Sequence, residues 1–246
     1  MTDKPKGQLS NIYVTKPYLP GLEEYVNMLP AIWKSRILSN SGAYHQALEQ
    51  ALSEQLGVRQ LALSNNGTIA LELAIQALGL KGKIITTPYS FVATANSILL
   101  KGLEPIFIDI EDEGFNLDPN LLDDAMDSDV SAVMPVHVYG LPCDHANIDT
   151  WARAKSVKAI YDAAHAFGVK QDGEPVLNWG DAAILSFHAT KVFHTFEGGA
   201  VACQDPDIKQ RIEIAKNFGF DNKGDVVTLG TNGKMNEAKQ QWGLCS

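Results

Sequence analysis

The sequence predicts an α/β protein: a three-layer α/β/α sandwich around a mostly parallel sheet of about seven strands. Three observations carry this. Short apolar runs recur from residue 60 to about 205, and stretches with helical spacing separate the first five of them. Apolar runs of this kind suit strands covered on both faces. The last runs follow one another with no helix between them, which predicts at least one antiparallel strand at the end of the series.

In chain order, the first forty residues are mixed, and Ser39-Asn40-Ser41-Gly42 reads as a loop. Residues 43–57 carry apolar or small positions at helical spacing and stop at Gly57. Strands are expected at 60–63, 83–87, 105–109, 132–136, 159–162, 183–187 and 200–203. Helices are expected at 68–79, 91–101, 119–127 and 144–155. The final residues, from Gln240 to Ser246, follow what reads as the start of a helix, so the chain is expected to be truncated there.

The chain has 246 residues, 45% of them hydrophobic and 20% charged, which is enough to bury a sizeable core. Its 29 acidic residues exceed its 20 basic ones, and no basic run occurs, which argues against nucleic acid as a partner. Cys143, Cys203 and Cys245 lie far apart and read as free thiols in a reducing compartment. The N-terminus lacks an apolar signal core, and no run approaches a membrane span, so a cytoplasmic protein is expected.

In open α/β sheets, ligands sit beyond the carboxyl ends of the strands. The polar groups expected to converge there are Ser64 to Thr68, Tyr89 to Phe91, His137, Asp162 to His165, and Ser186 to Lys191. Ser64-Asn65-Asn66-Gly67-Thr68 joins a strand to a helix. It suits a phosphate, through helix N-terminal amides and a glycine that permits close approach, although from this segment alone an ordinary cap is the better reading. No Walker or G-x-G-x-x-G spacing occurs, which excludes the usual ATPase and dinucleotide sites. Asp162 ends a buried strand and needs a cationic partner or dense hydrogen bonding. A protonated pyridine nitrogen and a structural cap are evenly matched as explanations. Lys191 follows a strand among aromatic and small residues, where desolvation favours a neutral amine nucleophile, though most lysines are solvated surface residues. His165, His188 and His194 lack the spacing and companions of a zinc site, and no G-x-S-x-G elbow occurs.

Taken together, Ser64-Asn-Asn-Gly-Thr68, Pro88-Tyr-Ser-Phe-Val-Ala-Thr-Ala-Asn96, Asp162-Ala-Ala-His165, and Ser186-Phe-His-Ala-Thr-Lys191 with Glu197-Gly-Gly199 resemble the DegT/DnrJ-type sugar-nucleotide aminotransferases. These are fold type I pyridoxal-phosphate (PLP) enzymes. The likeness runs from about residue 10 to the end. It implies the large domain of an aspartate-aminotransferase-like fold over residues 41–246, with 1–40 an N-terminal segment and a small C-terminal domain missing.

The resemblance also implies roles. Lys191 would hold the cofactor as a Schiff base and shuttle the proton. Asp162 would bind the pyridinium nitrogen, His165 would lie near the ring hydroxyl, and Phe91 would stack on the ring. Gly67, Thr68 and Ser186 would hold the phosphate, and Asn232 would reach the phosphate of a neighbouring subunit in a homodimer with composite sites. The implied reaction moves an amino group from glutamate to a nucleotide-linked keto-deoxy sugar for a surface polysaccharide such as O-antigen, or for a secondary metabolite. Ile12-Tyr13-Val14-Thr15-Lys16-Pro17 and the surroundings of Tyr89 resemble members that act on dTDP-4-keto-6-deoxyglucose, which implies that substrate. No metal is implied. The rivals are a PLP-dependent sugar dehydratase, in which a histidine replaces the lysine, and a non-catalytic PLP-fold protein with a binding or regulatory role. The sequence departs from the usual pattern at Asn66 before Gly67, and at Gly233-Lys234, where an aromatic residue and an arginine are more common.

Overall fold

The computed structural model describes residues 12–245, so the first eleven residues of the expected 1–40 segment lie outside it. Two helices open the chain, α1 (Leu22–Ser35) and α2 (Ala43–Leu56). Strand β1 (Gln60–Ser64), α3 (Gly67–Ala77), β2 (Lys83–Thr86), α4 (Ala93–Leu100), β3 (Glu104–Phe107) and β4 (Val130–Val133) follow. Next come α5 (His145–Lys155), β5 (Lys158–Asp162) and a small hairpin of β6 (Lys170–Gln171) and β7 (Glu174–Pro175). Strands β8 (Ala182–Ser186) and β9 (Gly199–Cys203), then α6 (Pro206–Lys216) and α7 (Glu237–Cys245), complete the order.

All seven expected strands form one sheet, in the order β1-β9-β8-β5-β4-β2-β3. Strand β9 runs antiparallel to both its neighbours, β1 and β8, and the other pairings are parallel. The expected antiparallel strand is therefore β9. Its reversal leaves β1, β5 and β8 pointing the same way, so their carboxyl ends deliver loops to one edge.

Strand parity divides the core. Leu61, Leu63, Tyr161, Ala183, Leu185 and Ala200 pack on one face with Leu48 and Leu52 of α2 and Ile148 of α5. Ala62, Ile160, Ile184 and Val201 face the other side, against Leu71 and Ala74 of α3, Ile98 of α4 and Ile212 of α6. Successive strand residues thus serve opposite layers, so the strands read as continuous apolar runs. Helix α1 lies on α7: Gln241 Nε2 donates to the Tyr25 carbonyl (2.9 Å), and the Tyr25 ring meets Trp242 edge-on. Among the described residues, no helix is long and apolar enough to cross a membrane.

Two expectations need correction. The helix expected at 119–127 is a single 3₁₀ turn, Pro119–Leu121, capped by Asp118. The aspartates beyond it are engaged elsewhere. Asp123 accepts from Trp151 Nε1 (3.0 Å) and pairs with Lys155, while Asp127 pairs with Lys83 and caps the Asp129 amide. Such side chains compete with helical hydrogen bonding. Strand β4 ends at Val133 rather than 136, because Pro135 has no N–H for the ladder.

Candidate active site

Beyond the carboxyl ends of β1, β5 and β8 lies a cavity of about 450 Å³. Gly67, Thr68, Phe91, Asp162, His165, Ser186 and Lys191 all line it. Asn232 does not; it is exposed, on a segment whose backbone pairs with Asn217. His137, expected in the crevice, is fully buried away from it. Its ring stacks on Tyr161 (5.1 Å between centroids), and Nδ1 accepts from the Cys143 amide (3.1 Å).

One end of the cavity is the turn from β1 into α3. Asn66 caps the helix, its Oδ1 accepting from the Ile69 amide at 2.8 Å. The Gly67 and Thr68 amides at the first turn find no partner within the helix, which leaves them facing a ready anion site. A Cβ on Gly67 would lie 3.0 Å from Ser186 Cβ and 3.3 Å from its hydroxyl, so only glycine leaves the space between them open. A Cβ on Gly199 would fall 2.6 Å from the Asn66 carbonyl carbon, so β9 needs glycine to pass behind the turn.

At the other end, Asp162 is 5% exposed yet forms no ion pair among the described residues. Thr94 Oγ1 donates to its Oδ2 (2.7 Å) and the Ala164 amide to its Oδ1 (3.1 Å). A buried carboxylate held this way still favours a cation beside it. Thr94 belongs to the motif around Tyr89, but nothing in the sequence says that it reaches across 68 residues to Asp162.

Lys191 forms no side-chain hydrogen bond or ion pair among the described residues. Burial lowers its pKa below the ordinary 10.5, and Asp162 partly opposes that shift. His165 is also lowered, first by burial and then by Lys191. His188 and Glu197, named in the motifs but given no role there, also line the cavity; His188 Nδ1 meets Thr190 Oγ1 at 2.8 Å, and Nε2 lies 3.5 Å from Glu197. His194 is separate and buried, with Nε2 donating to the Tyr18 carbonyl (2.6 Å).

The cavity therefore offers an amide-and-hydroxyl cradle, a buried carboxylate short of a cation, and an amine shifted toward its neutral form. That donor set fits pyridoxal phosphate: a phosphate, a protonated ring nitrogen and a carbonyl carbon.

Comparison with known proteins agrees with this reading. The sequence profile of the DegT/DnrJ/EryC1/StrS aminotransferase family matches residues 21–245. A dTDP-4-amino-4,6-dideoxy-D-glucose transaminase from Shigella dysenteriae is 51% identical over 95% of this chain and 64% of its own. An Escherichia coli protein of the same description is 45% identical, over 95% and 63%. The chain thus spans slightly less than two thirds of these relatives. The crystal structure of DesI in the presence of its TDP-sugar product superposes with a TM-score of 0.89, at 38% identity over 93% of this chain and 58% of DesI. NtdA from Bacillus subtilis, solved with bound cofactor PMP, gives 0.82 at 27% identity over 91% and 52%.

Proposed function

Because the chain belongs to the DegT/DnrJ/EryC1/StrS aminotransferase family, we propose that it binds pyridoxal phosphate and transfers an amino group from glutamate to dTDP-4-keto-6-deoxyglucose. The observation that carries this reading is the single cavity shared by Lys191, Asp162 and the Gly67–Ser186 cradle. The name shared by the two relatives describes the amino sugar that transamination at C4 of that keto sugar yields.

Bound there, pyridoxal phosphate supplies an electrophilic carbonyl for an amine and a pyridinium ring that accepts an electron pair when a C–H bond breaks. The protein's residues do the rest. The Gly67 and Thr68 amides and the Ser186 hydroxyl receive the phosphate. Asp162, steadied by Thr94, keeps the proton on the ring nitrogen. Lys191 Nζ, held toward its neutral form by burial, takes the proton from the donor's Cα and later delivers one to the sugar carbon. His165 and Phe91, which line the same cavity, would hold the ring, His165 toward its hydroxyl and Phe91 against its face.

Residues 41–246 are read as the cofactor-binding domain and 1–40 as an N-terminal segment. The exposure of Asn232 supports a homodimer in which it completes the neighbour's site. A cytoplasmic enzyme of amino-sugar synthesis, serving a surface polysaccharide such as O-antigen, follows from that chemistry. Lys191 disfavours the dehydratase reading.

The test is spectroscopic. Glutamate added to the protein with pyridoxal phosphate bleaches the visible absorbance of the bound cofactor. The dTDP-keto sugar restores it and yields the amino sugar by mass spectrometry. No bleaching, or bleaching with no amino sugar formed, contradicts the proposal.

A further inference from the structure

We infer that Lys216 is a positioning residue for the phosphate cradle: a buried cation that fixes the end of β1 and ties the cradle to the segment carrying Asn232. The inference rests on the cofactor reading above.

Strand β1 is an edge strand, paired only with β9. Its Leu63 carbonyl, three residues before Asn66, accepts a 3.0 Å hydrogen bond from Lys216 Nζ. Lys216 is 2% exposed. Its ammonium is also held, at 2.5 Å, by Glu213 one helical turn earlier.

The backbone of Lys216 engages the other side of the same region. The Gly233 amide donates to the Lys216 carbonyl (2.9 Å), and the Asn65 amide donates to the Gly233 carbonyl (2.8 Å). Asn65 Nδ2 then reaches the Asn232 carbonyl at 3.3 Å. A Cβ on Gly233 would lie 3.0 Å from Ile69 Cγ2, in the first turn of α3, and 3.1 Å from Lys216 Cβ. Lys216 thus packs close beneath the turn that presents Gly67 and Thr68.

Glu213 has further company. It shares a cluster with His45 and Glu49 in which the ligating atoms lie within 4.8 Å of one another. Lys209 of α6 pairs with Glu49 of α2, whereas Lys216 and Glu213 pair within α6, so the cations that cluster needs are side chains of α6, and the Lys209–Glu49 pair ties α2 to α6. An apolar residue would fill the Lys216 site without burying a charge. What lysine adds is a charged, and therefore stronger, fixed donor to the Leu63 carbonyl at the base of the anion-binding turn.

The test compares dissociation constants for pyridoxal phosphate and pyridoxal, which differ only in the phosphate. Thermal unfolding of the cofactor-free protein is followed in parallel. Lys216→Met weakens pyridoxal phosphate about tenfold or more while leaving pyridoxal nearly unchanged. Lys216→Arg restores most of the discrimination. Lys216→Gln keeps a donor without the charge; it loses discrimination too, and it decides the matter if the Met variant does not fold. Equal weakening of both ligands, or full discrimination in the Met and Gln variants, overturns the inference. A wild-type protein that does not prefer pyridoxal phosphate would instead overturn the cofactor reading itself.

Discussion

Thr94 Oγ1 donates to Asp162 Oδ2 across 2.7 Å, and both residues are buried. The bond joins the start of α4 to the end of β5 and sets where the carboxylate faces the cavity. Thr94→Val keeps the shape and removes the donor. Expected is a loss of about 1–3 kcal/mol in stability without cofactor, with weaker binding of both pyridoxal phosphate and pyridoxal, because the ring contact is the one disturbed. Thr94→Ser recovers both. Urea unfolding and spectroscopic titration measure the two effects.

Gly67→Ala acts at the opposite end. The added methyl enters the 3.0 Å space before Ser186 Cβ. Unlike Thr94→Val, it is expected to weaken pyridoxal phosphate selectively, with stability changed by about 1 kcal/mol or less. Equal loss of pyridoxal binding would show that the cradle does not hold the phosphate.

Lys191 gives a pH prediction. Burial lowers its pKa from 10.5, and the Asp162 charge raises it in part. Removing that charge in Asp162→Asn therefore moves the titration further down. The rate at which pyridoxal is trapped on Lys191 by borohydride should rise with pH to a midpoint below 10.5 in the wild type, and to a lower midpoint still in the variant. A midpoint moved upward would contradict the geometry.

His137 predicts acid sensitivity away from the site. Burial first, then His145, lowers its pKa from 6.5 to about 3, so the folded protein keeps it neutral while the unfolded chain protonates it. The unfolded state binds the extra proton, so stability is full above pH 6.5 and is lost as pH falls toward 3. The loss amounts to roughly 4 kcal/mol by the lower limit. His137→Asn lowers stability at neutral pH but flattens this slope. Urea unfolding at a series of pH values reads it, and an unchanged slope would rule His137 out as its source.

These sites mark where the sequence was legible. Six of the seven strands were readable because they are covered on both faces and so stay mostly apolar, while the edge strand β3, with Glu104 and Phe107 exposed, was readable only as a short apolar run. Asp162, Ser186 and Lys191 follow strand ends, and the sheet rule gathers them. The rule does not say which way a side chain turns, and His137 went inward to stack on Tyr161. Helix α1 was not foreseen, since Pro30 interrupts its pattern and Ile32 is its one buried residue. Helix α6 opens with an Asp205 cap and Pro206, a signal that was available. Thr94 and Lys216 act over 68 and 153 residues of sequence separation, which local pattern does not reveal.

The most direct test of the central claim is to incubate the protein with pyridoxal phosphate, reduce with borohydride, and map the modified lysine by mass spectrometry. One phosphopyridoxyl group on Lys191, absent from Lys191→Ala together with the visible absorbance, is the predicted result. Modification at other lysines alone, or visible absorbance retained in Lys191→Ala, would contradict it.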